Sequence, residues 1–203
     1  LVMDCAANDE SKRRQLKARG YIATTHYMLK TDVAPQAPAP TVRTATEADI
    51  PALVAFNREG RERLHEANPA FWTSHPDAEA RFALWMKLSL TMRDRAMFVS
   101  ENAGHPSGFV IAQPASPIQV PITLDEAKIG VIDDFHCTSF GASLRHPQDP
   151  TPARELLTTA ETALLERAKS AAIVICPAAW AAKFQLLEEA GYKTLHTWFV
   201  GPA

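Results

Sequence analysis

The sequence is short of the residues that build metal sites and disulfide frameworks. Its three cysteines, Cys5, Cys137 and Cys176, are an odd number set far apart, without the close pairing of a zinc knuckle or a CxxC redox motif. They read as reduced, buried thiols, and no residue near Cys137 in sequence would activate it as a nucleophile. The seven histidines show no HExxH or comparable ligand spacing, so no metal is expected. Charge of one sign is also lacking. With 21 Lys and Arg against 23 Asp and Glu, the net charge of −2 supplies no field for a phosphate backbone, which argues against nucleic acid as a partner. No apolar run approaches the ~20 residues that cross a bilayer. The opening LVMDCAANDESKRR lacks the basic-then-apolar order of a secretory leader. The expectation is a soluble, cytoplasmic protein with no membrane partner.

Glycine is scarce as well, with eight residues against fifteen prolines, and the prolines mark the connectors. VAPQAPAP, residues 33–40, cannot continue a helix or a central strand because its prolines fix φ and remove donors, so it reads as a linker. Before it, residues 1–32 read as a β-α-β fragment. LVMDCA is a strand, ESKRRQLKAR a polar helix stopped by Gly20, and YIATTHYML a second strand. Such a fragment is too small to bury a core alone.

After the linker, residues 41–203 read as one α/β unit. A brief strand at 41–43 precedes Thr46 and Asp49, spaced as a capping box ahead of a helix running towards His65. Asn68-Pro69 breaks that helix, and Asp77 opens a second whose Phe82, Trp85 and Leu88 recur at helical spacing. AMFVSE and GFVIAQ flank a turn-rich loop as a hairpin. KIGVIDDFHC is the next strand, followed by a helix predicted over 153–169 with an apolar face of Leu and Ala. AAIVIC has the fully apolar character of a strand buried on both faces. A helix stopped by Gly191 and the strand YKTLHTWFV close the chain.

Sliding the sequence on itself by 171 residues aligns the first fragment with the last. Cys5/Cys176, Ala7/Ala178, Lys12/Lys183, Leu16/Leu187, Gly20/Gly191 and Tyr21/Tyr192 then coincide, as do the apolar residues of both strands. An internal repeat implies that the chain starts with the last part of a unit whose complete copy follows the linker. The two related pieces are expected to pack on each other, in the same chain or between neighbouring chains, as such units can about an approximate two-fold axis.

From residue 41 onward the chain resembles the Gcn5-related N-acetyltransferase (GNAT) superfamily. The resemblance is carried by VRTATEADIPALVAF, LHEANPAFW, MFVSENAGHPSGFVIA, GVIDDFHC, ELLTTAETALLERAKSAAIVI and LLEEAGYKTLHTWFV, taken in that order and spacing. It implies an α/β (α+β) fold with a mixed, mostly antiparallel sheet flanked by helices, in which KIGVIDDFHC diverges from AAIVIC. It also implies that residues 1–32 resemble the end of a second GNAT repeat, as in a tandem ancestor.

Members of that superfamily pass an acyl group from acyl-coenzyme A to an amine. The splayed strand pairs with the pantetheine arm, and a glycine-rich loop with the following helix N-terminus holds the pyrophosphate. By position the resemblance implies Phe135, Cys137, Gly141, Arg145, Ala153 and Arg154 as cofactor-binding residues, with acetyl-CoA or another acyl-CoA as the substrate. The sequence departs from the pattern in this loop. It has Gly141 alone, no basic residue followed by Gly-x-Gly, and Pro150 and Pro152 where donors are needed. The asparagine and tyrosine that many members carry on the penultimate helix are replaced by Trp180 and Leu187. A base must then come from elsewhere, and Asp134, His136 and Asp133 on the splayed strand are the candidate catalytic residues. Strict alternation would place Asp134 and His136 on one face, with Asp133, Phe135 and Cys137 on the other.

Two functions follow. One is an acyl-CoA-dependent N-acyltransferase, acetyl-CoA being the expected donor, that acts by direct attack on the thioester. Its acceptor would be an amine of a small molecule or a protein, gripped by residues 61–75 and 114–122. The other is a degenerate, non-catalytic GNAT-like module that binds a ligand or a protein, a reading that the altered loop and the missing tyrosine favour. A different small-molecule chemistry on the same fold is a third possibility, and a homodimer is compatible with either function.

Overall fold

The structure, a computed structural model, describes residues 1–37, 39–117, 120, 124–140 and 149–202. In chain order the elements are β1 (Val2–Ala6), α1 (Glu10–Ala18), β2 (Ile22–Lys30), β3 (Val42–Thr44), α2 (Ile50–Ala67), α3 (Ala78–Thr91) and β4 (Ala96–Asn102). They continue with β5 (His105–Pro114), β6 (Ile129–Cys137), α4 (Thr151–Leu165), β7 (Ala171–Pro177), α5 (Ala181–Glu189) and β8 (Lys193–Val200). The strands form one eight-stranded sheet in the order β1-β8-β2-β7-β6-β5-β4-β3, in which only β6 and β7 pair in parallel. Thr46 and Asp49 form the expected capping box at the entry to α2, and Arg43 holds the Asp49 carboxylate with two bonds of 2.8 Å.

α4 ends at Leu165, four residues before the predicted end at Lys169. The cause is a turn in which Lys169 N–H bonds to Leu164 C=O and Ala168 N–H to Leu165 C=O, with Ala168 at φ 59°. That is the Schellman pattern, usually built with glycine at the left-handed position. The same 6→1 bond stops α1 and α5, from Tyr21 N–H to Leu16 C=O and from Tyr192 N–H to Leu187 C=O, with Gly20 and Gly191 at φ 78° and 90°. Three of the identities between the repeats are therefore the residues that this helix stop requires.

The repeat also has a spatial counterpart. Cys5 of β1 lies opposite Thr197 of β8, and their repeat counterparts, Cys176 of β7 and His26 of β2, lie opposite each other. Ala7 N–H bonds to Leu195 C=O at 2.9 Å, and the counterpart Ala178 N–H bonds to Thr24 C=O at 2.8 Å. The N-terminal strands are thus built into the sheet, with β2 inserted between β7 and β8. Lys30 of β2 ties them to α4, its Nζ lying 3.0 Å from both oxygens of the buried Glu161. The linker residue Val33 joins the main core, its N–H bonding to Ser170 C=O.

The core is divided by the sheet. Leu156, Leu157, Ala160 and Leu164 of α4 cover Val110, Ala112 and Ile132 on one face. Leu53 of α2 and Met86 of α3 cover Met97, Val99, Phe109 and Ile111 on the other. α4 can approach because Gly130 has no side chain: a Cβ there would meet Leu164 Cδ2 at 2.3 Å. No helix among the described residues is long and apolar enough to cross a membrane.

Candidate active site

The site begins where β6 and β7 separate. They pair from Ile129 opposite Ala171 to Ile132 opposite Val174, and no further, although β6 runs on to Cys137 and β7 to Pro177. The divergence expected from the sequence is present. It is produced on β6 by a bulge. His136 lies opposite Phe109 and Asp133 opposite Ile111, so Asp134 and Phe135 together span the single residue Val110. Asp134 takes φ 46°, a conformation in which Asp and Asn are among the better tolerated side chains.

The bulge corrects the alternation inferred from sequence. Cross-strand partners share a face, so Asp133 and His136 lie together on the face of Ile111 and Phe109, and Phe135 and Cys137 lie on the core face towards α4. Asp134 is the extra residue, and period two fails at the point where the candidate residues sit.

Beside the bulge is a cavity of about 240 Å³ between α2, β6 and α5. Asp133, Asp134 and His136 border it from β6, Arg61 and Asn57 from α2, and Trp180 and Lys183 from the α5 end. Its apolar walls are Phe56, Leu64, Trp72 and Phe109. Phe56 stacks on the His136 ring at 5.4 Å, and Trp180 meets the same ring edge-on at 5.7 Å.

The carboxylates differ in their surroundings. Asp133 accepts the Asp134 N–H at 3.0 Å and Gln113 Nε2 at 3.4 Å. Asp134 is half-buried, and its carboxyl is crowded by the protein around the bulge. Burial, reinforced by the Asp133 charge, pushes Asp134 up to about 7, with Lys183 and Arg95 opposing. His136 moves the other way. Burial, with Lys183 and Arg63 nearby, lowers it to about 3, so at neutral pH its imidazole is uncharged.

Lys183 was not among the sequence candidates. Its Nζ donates to Phe135 C=O at 3.0 Å and to Ile175 C=O at 3.2 Å, bridging the two strands after their pairing has ended. The side chain is buried, which lowers its pKa. The sequence held one signal, the identity of Lys183 with Lys12 between the two repeats.

The residues implied for cofactor binding fare unevenly. Gly141 and Arg145 lie outside the described residues. Phe135 and Cys137 are buried, and Ser139 Oγ donates to the Cys137 sulfur while burial raises that thiol, which suits a packed thiol rather than a nucleophile. Ala153 is fully buried in the core, and Arg154 pairs with Glu189 at 3.1 Å. At the start of α4 the Asp149 carboxylate already accepts Thr151 N–H at 3.0 Å. Of the expected acceptor segment 61–75, Arg61, Leu64 and Trp72 reach the cavity, whereas His65 is exposed and bonds to Trp72 C=O; of the segment 114–122, residues 118, 119, 121 and 122 lie outside the described residues. Among the described residues no three His, Cys, Asp or Glu side chains form a metal-holding group.

The sheet forks at its one parallel strand pair, with a bulge and a cavity of mixed lining at the fork. Comparison with solved structures gives the particular fold: this is the GNAT fold. An acetyltransferase of that family from Colwellia psychrerythraea matches with a TM-score of 0.58 at 10% identity, over 97% of this chain and 62% of its own. Ribosomal-protein-alanine N-acetyltransferase of Brucella melitensis matches at 0.56 and 20% identity, over 78% of this chain and 96% of its own. A Clostridium acetobutylicum protein described as an acetyltransferase, solved with acetyl-CoA, matches at 0.54 and 13% identity, over 75% and 88%. The chain spans only 58% to 68% of the length of several other matched proteins. No family model matches the sequence, and no curated protein does.

Proposed function

We propose that the protein is an acyl-CoA-dependent N-acyltransferase, with acetyl-CoA the expected donor and an amine acceptor entering the cavity beside the bulge. The observation that supports this most is the parting of β6 from β7 after Ile132, with Asp134 at the fork. Transfer forms a bond between the amine nitrogen and the thioester carbonyl carbon and breaks the carbon–sulfur bond. Asp134 first takes a proton from the ammonium form of the acceptor to free its lone pair, a task suited to a group titrating near neutrality. The departing thiolate takes up the second proton, which the nitrogen releases as the amide forms, and Lys183 at the fork is the side chain that would offset its charge. His136, uncharged and packed between Phe56 and Trp180, shapes the acceptor side.

Calorimetric titration with acetyl-CoA, paired with measurement of thiol release, tests the proposal. Asp134→Asn is expected to keep acetyl-CoA affinity and to lower turnover by roughly 10²–10⁴-fold. An unchanged rate would return Asp134 to a purely structural role.

A second reading, a binding module without transferase activity, has its own support. Lys183 already occupies the Phe135 and Ile175 carbonyls in the fork, and Asp149 places a negative charge at the α4 N-terminus. No heat with acetyl-CoA at millimolar concentration would favour it.

A further inference from the structure

Three of the five buried side-chain polar atoms without a hydrogen-bond partner among the described residues belong to this one cavity: Arg61 Nη2, Trp180 Nε1 and His136 Nε2. Buried polar atoms in native proteins are nearly always paired with protein, water or ligand, so three orphans on residues that border one space point to donors left for what fills it. Trp180 and His136 are only 5% and 7% exposed, so bulk solvent is not their partner. Two of the three groups, the guanidinium and the indole N–H, can only donate. Arg61 is also held in place, because its Nε donates to Asn57 Oδ1 at 2.8 Å, one turn earlier on α2. The Nη2 edge is thus a fixed cation with a free donor. The same cavity is lined by Asp133 and Asp134 and by the apolar Phe56, Leu64, Trp72 and Phe109.

Positive and negative groups bordering one small, aromatic-walled space call for a ligand with both charges and an apolar body. We infer that the acceptor is a free α-amino acid with an aromatic or branched apolar side chain, its carboxylate received by Arg61 and Trp180 and its amine directed to Asp134. This rests on the acyltransferase reading for the fate of the amine, but not for the binding itself. A carboxylate is favoured over a phosphate ester. One guanidinium edge matches a planar monoanion, and a dianion would meet the neighbouring Asp133 and Asp134 with only Arg61 and Lys183, whose Nζ already donates to two carbonyls, as basic groups among the described lining residues. A volume of about 240 Å³ lies below the usual range of ligand pockets, which suits a small molecule.

The test is binding of L-phenylalanine, L-leucine, L-phenylalaninamide, phenethylamine and 3-phenylpropionate to the full chain without acyl-CoA, followed by acetylation assays on the same compounds. The expected result is that phenylalanine or leucine binds roughly 10- to 100-fold more tightly than phenylalaninamide or phenethylamine, the size of one charge-assisted hydrogen bond. Arg61→Gln should erase that preference while leaving phenethylamine affinity within about three-fold, and Arg61→Lys should restore only part of it. Equal affinity for phenylalanine and phenethylamine, or no binding of either amino acid at millimolar concentration, would overturn the inference. The wild-type ligand series decides even if the Arg61 variants do not fold. Phenylalanine that binds but is not acetylated would overturn its role as acceptor and leave only the carboxylate site standing; no acetyl-CoA binding and no thiol release with any of the compounds would overturn the acyltransferase reading, and phenethylamine acetylated as well as phenylalanine would overturn this inference and leave that reading standing.

Discussion

His26 of β2 and Thr197 of β8 are the same position of two repeats, 171 residues apart, and they face each other across the sheet with Nδ1 2.9 Å from Oγ1. A residue can meet its own counterpart only where a two-fold axis passes between them. From that axis outward the strands read β2 then β7 on one side and β8 then β1 on the other, each the counterpart of the other. The symmetry stops beyond them. β7 has β6 as its next neighbour, and β1 is the edge of the sheet. This explains why Lys183 is buried with two carbonyl partners while its counterpart Lys12 is partly exposed. The fork that buries one lysine has no equivalent beside the other.

The pairing between the N-terminal strands and α4 should be unequal in its two partners. Glu161 is 1% exposed and also accepts the Tyr192 hydroxyl at 2.8 Å, whereas the Lys30 side chain keeps 22% exposure. Lys30→Met leaves a buried carboxylate without its cation and is expected to cost roughly 3 kcal/mol. Glu161→Gln leaves a lysine that can turn to water and should cost about 1–2 kcal/mol. The double variant should recover part of the Lys30→Met loss. Urea unfolding of the three variants measures this, and equal losses in the two single variants would contradict it.

Ala168 is the one place where the shared helix stop lacks its glycine, at φ 59° against 78° and 90° for Gly20 and Gly191. Ala168→Gly should therefore raise stability by about 1 kcal/mol, because relief of the left-handed strain outweighs the greater freedom glycine gains on unfolding. A fall in the thermal midpoint would show that the turn is not strained.

Gly130 should tolerate no side chain. A Cβ would come within 2.3–2.9 Å of three Leu164 side-chain atoms, in a core where Leu164 is fully buried. Gly130→Ala is expected to cost about 1–3 kcal/mol by overpacking α4 against β6, read from the denaturation midpoint.

Where local chemistry decides the structure, the sequence was informative. The Thr46/Asp49 cap, the stops at Gly20 and Gly191, the apolar AAIVIC strand and the repeat all carry their cause in neighbouring residues or in a fixed offset. The bulge at Asp134 was not readable. Alternation is a rule of regular pairing, and an inserted residue shows only in the register against β5. The role of Lys183 depends on the gap between two strands far apart in sequence, and Arg61 gains meaning only when Trp180 and His136 are brought to the same cavity. Repeat identity alone pointed to Lys183, and it pointed equally to Lys12.

Asp134 and His136 should tilt the pH dependence of stability in opposite directions. Asp134 titrates at about 7 in the folded protein and near 3.8 when unfolded. Between those values the folded form holds a proton that the unfolded chain has released, so this group lowers stability as pH rises through that window. His136 titrates at about 3 folded and near 6.5 unfolded. There the unfolded chain holds the extra proton, so this group lowers stability as pH falls below 6.5. Each slope is about 1.4 kcal/mol per pH unit, and the two cancel where the windows overlap. Asp134→Asn, which keeps a side chain suited to φ 46°, should expose the histidine slope. That variant is expected to be more stable than wild type near pH 7 and to lose the advantage as pH falls towards 4. His136→Gln should expose the opposite slope, with stability declining as pH rises from about 4 to about 7. Denaturant midpoints of the three proteins from about pH 4 to about pH 8 measure both slopes. Parallel curves would mean that neither group titrates with the shift its surroundings impose: Asp133, Lys183 and Arg95 around Asp134, and Lys183 and Arg63 around His136.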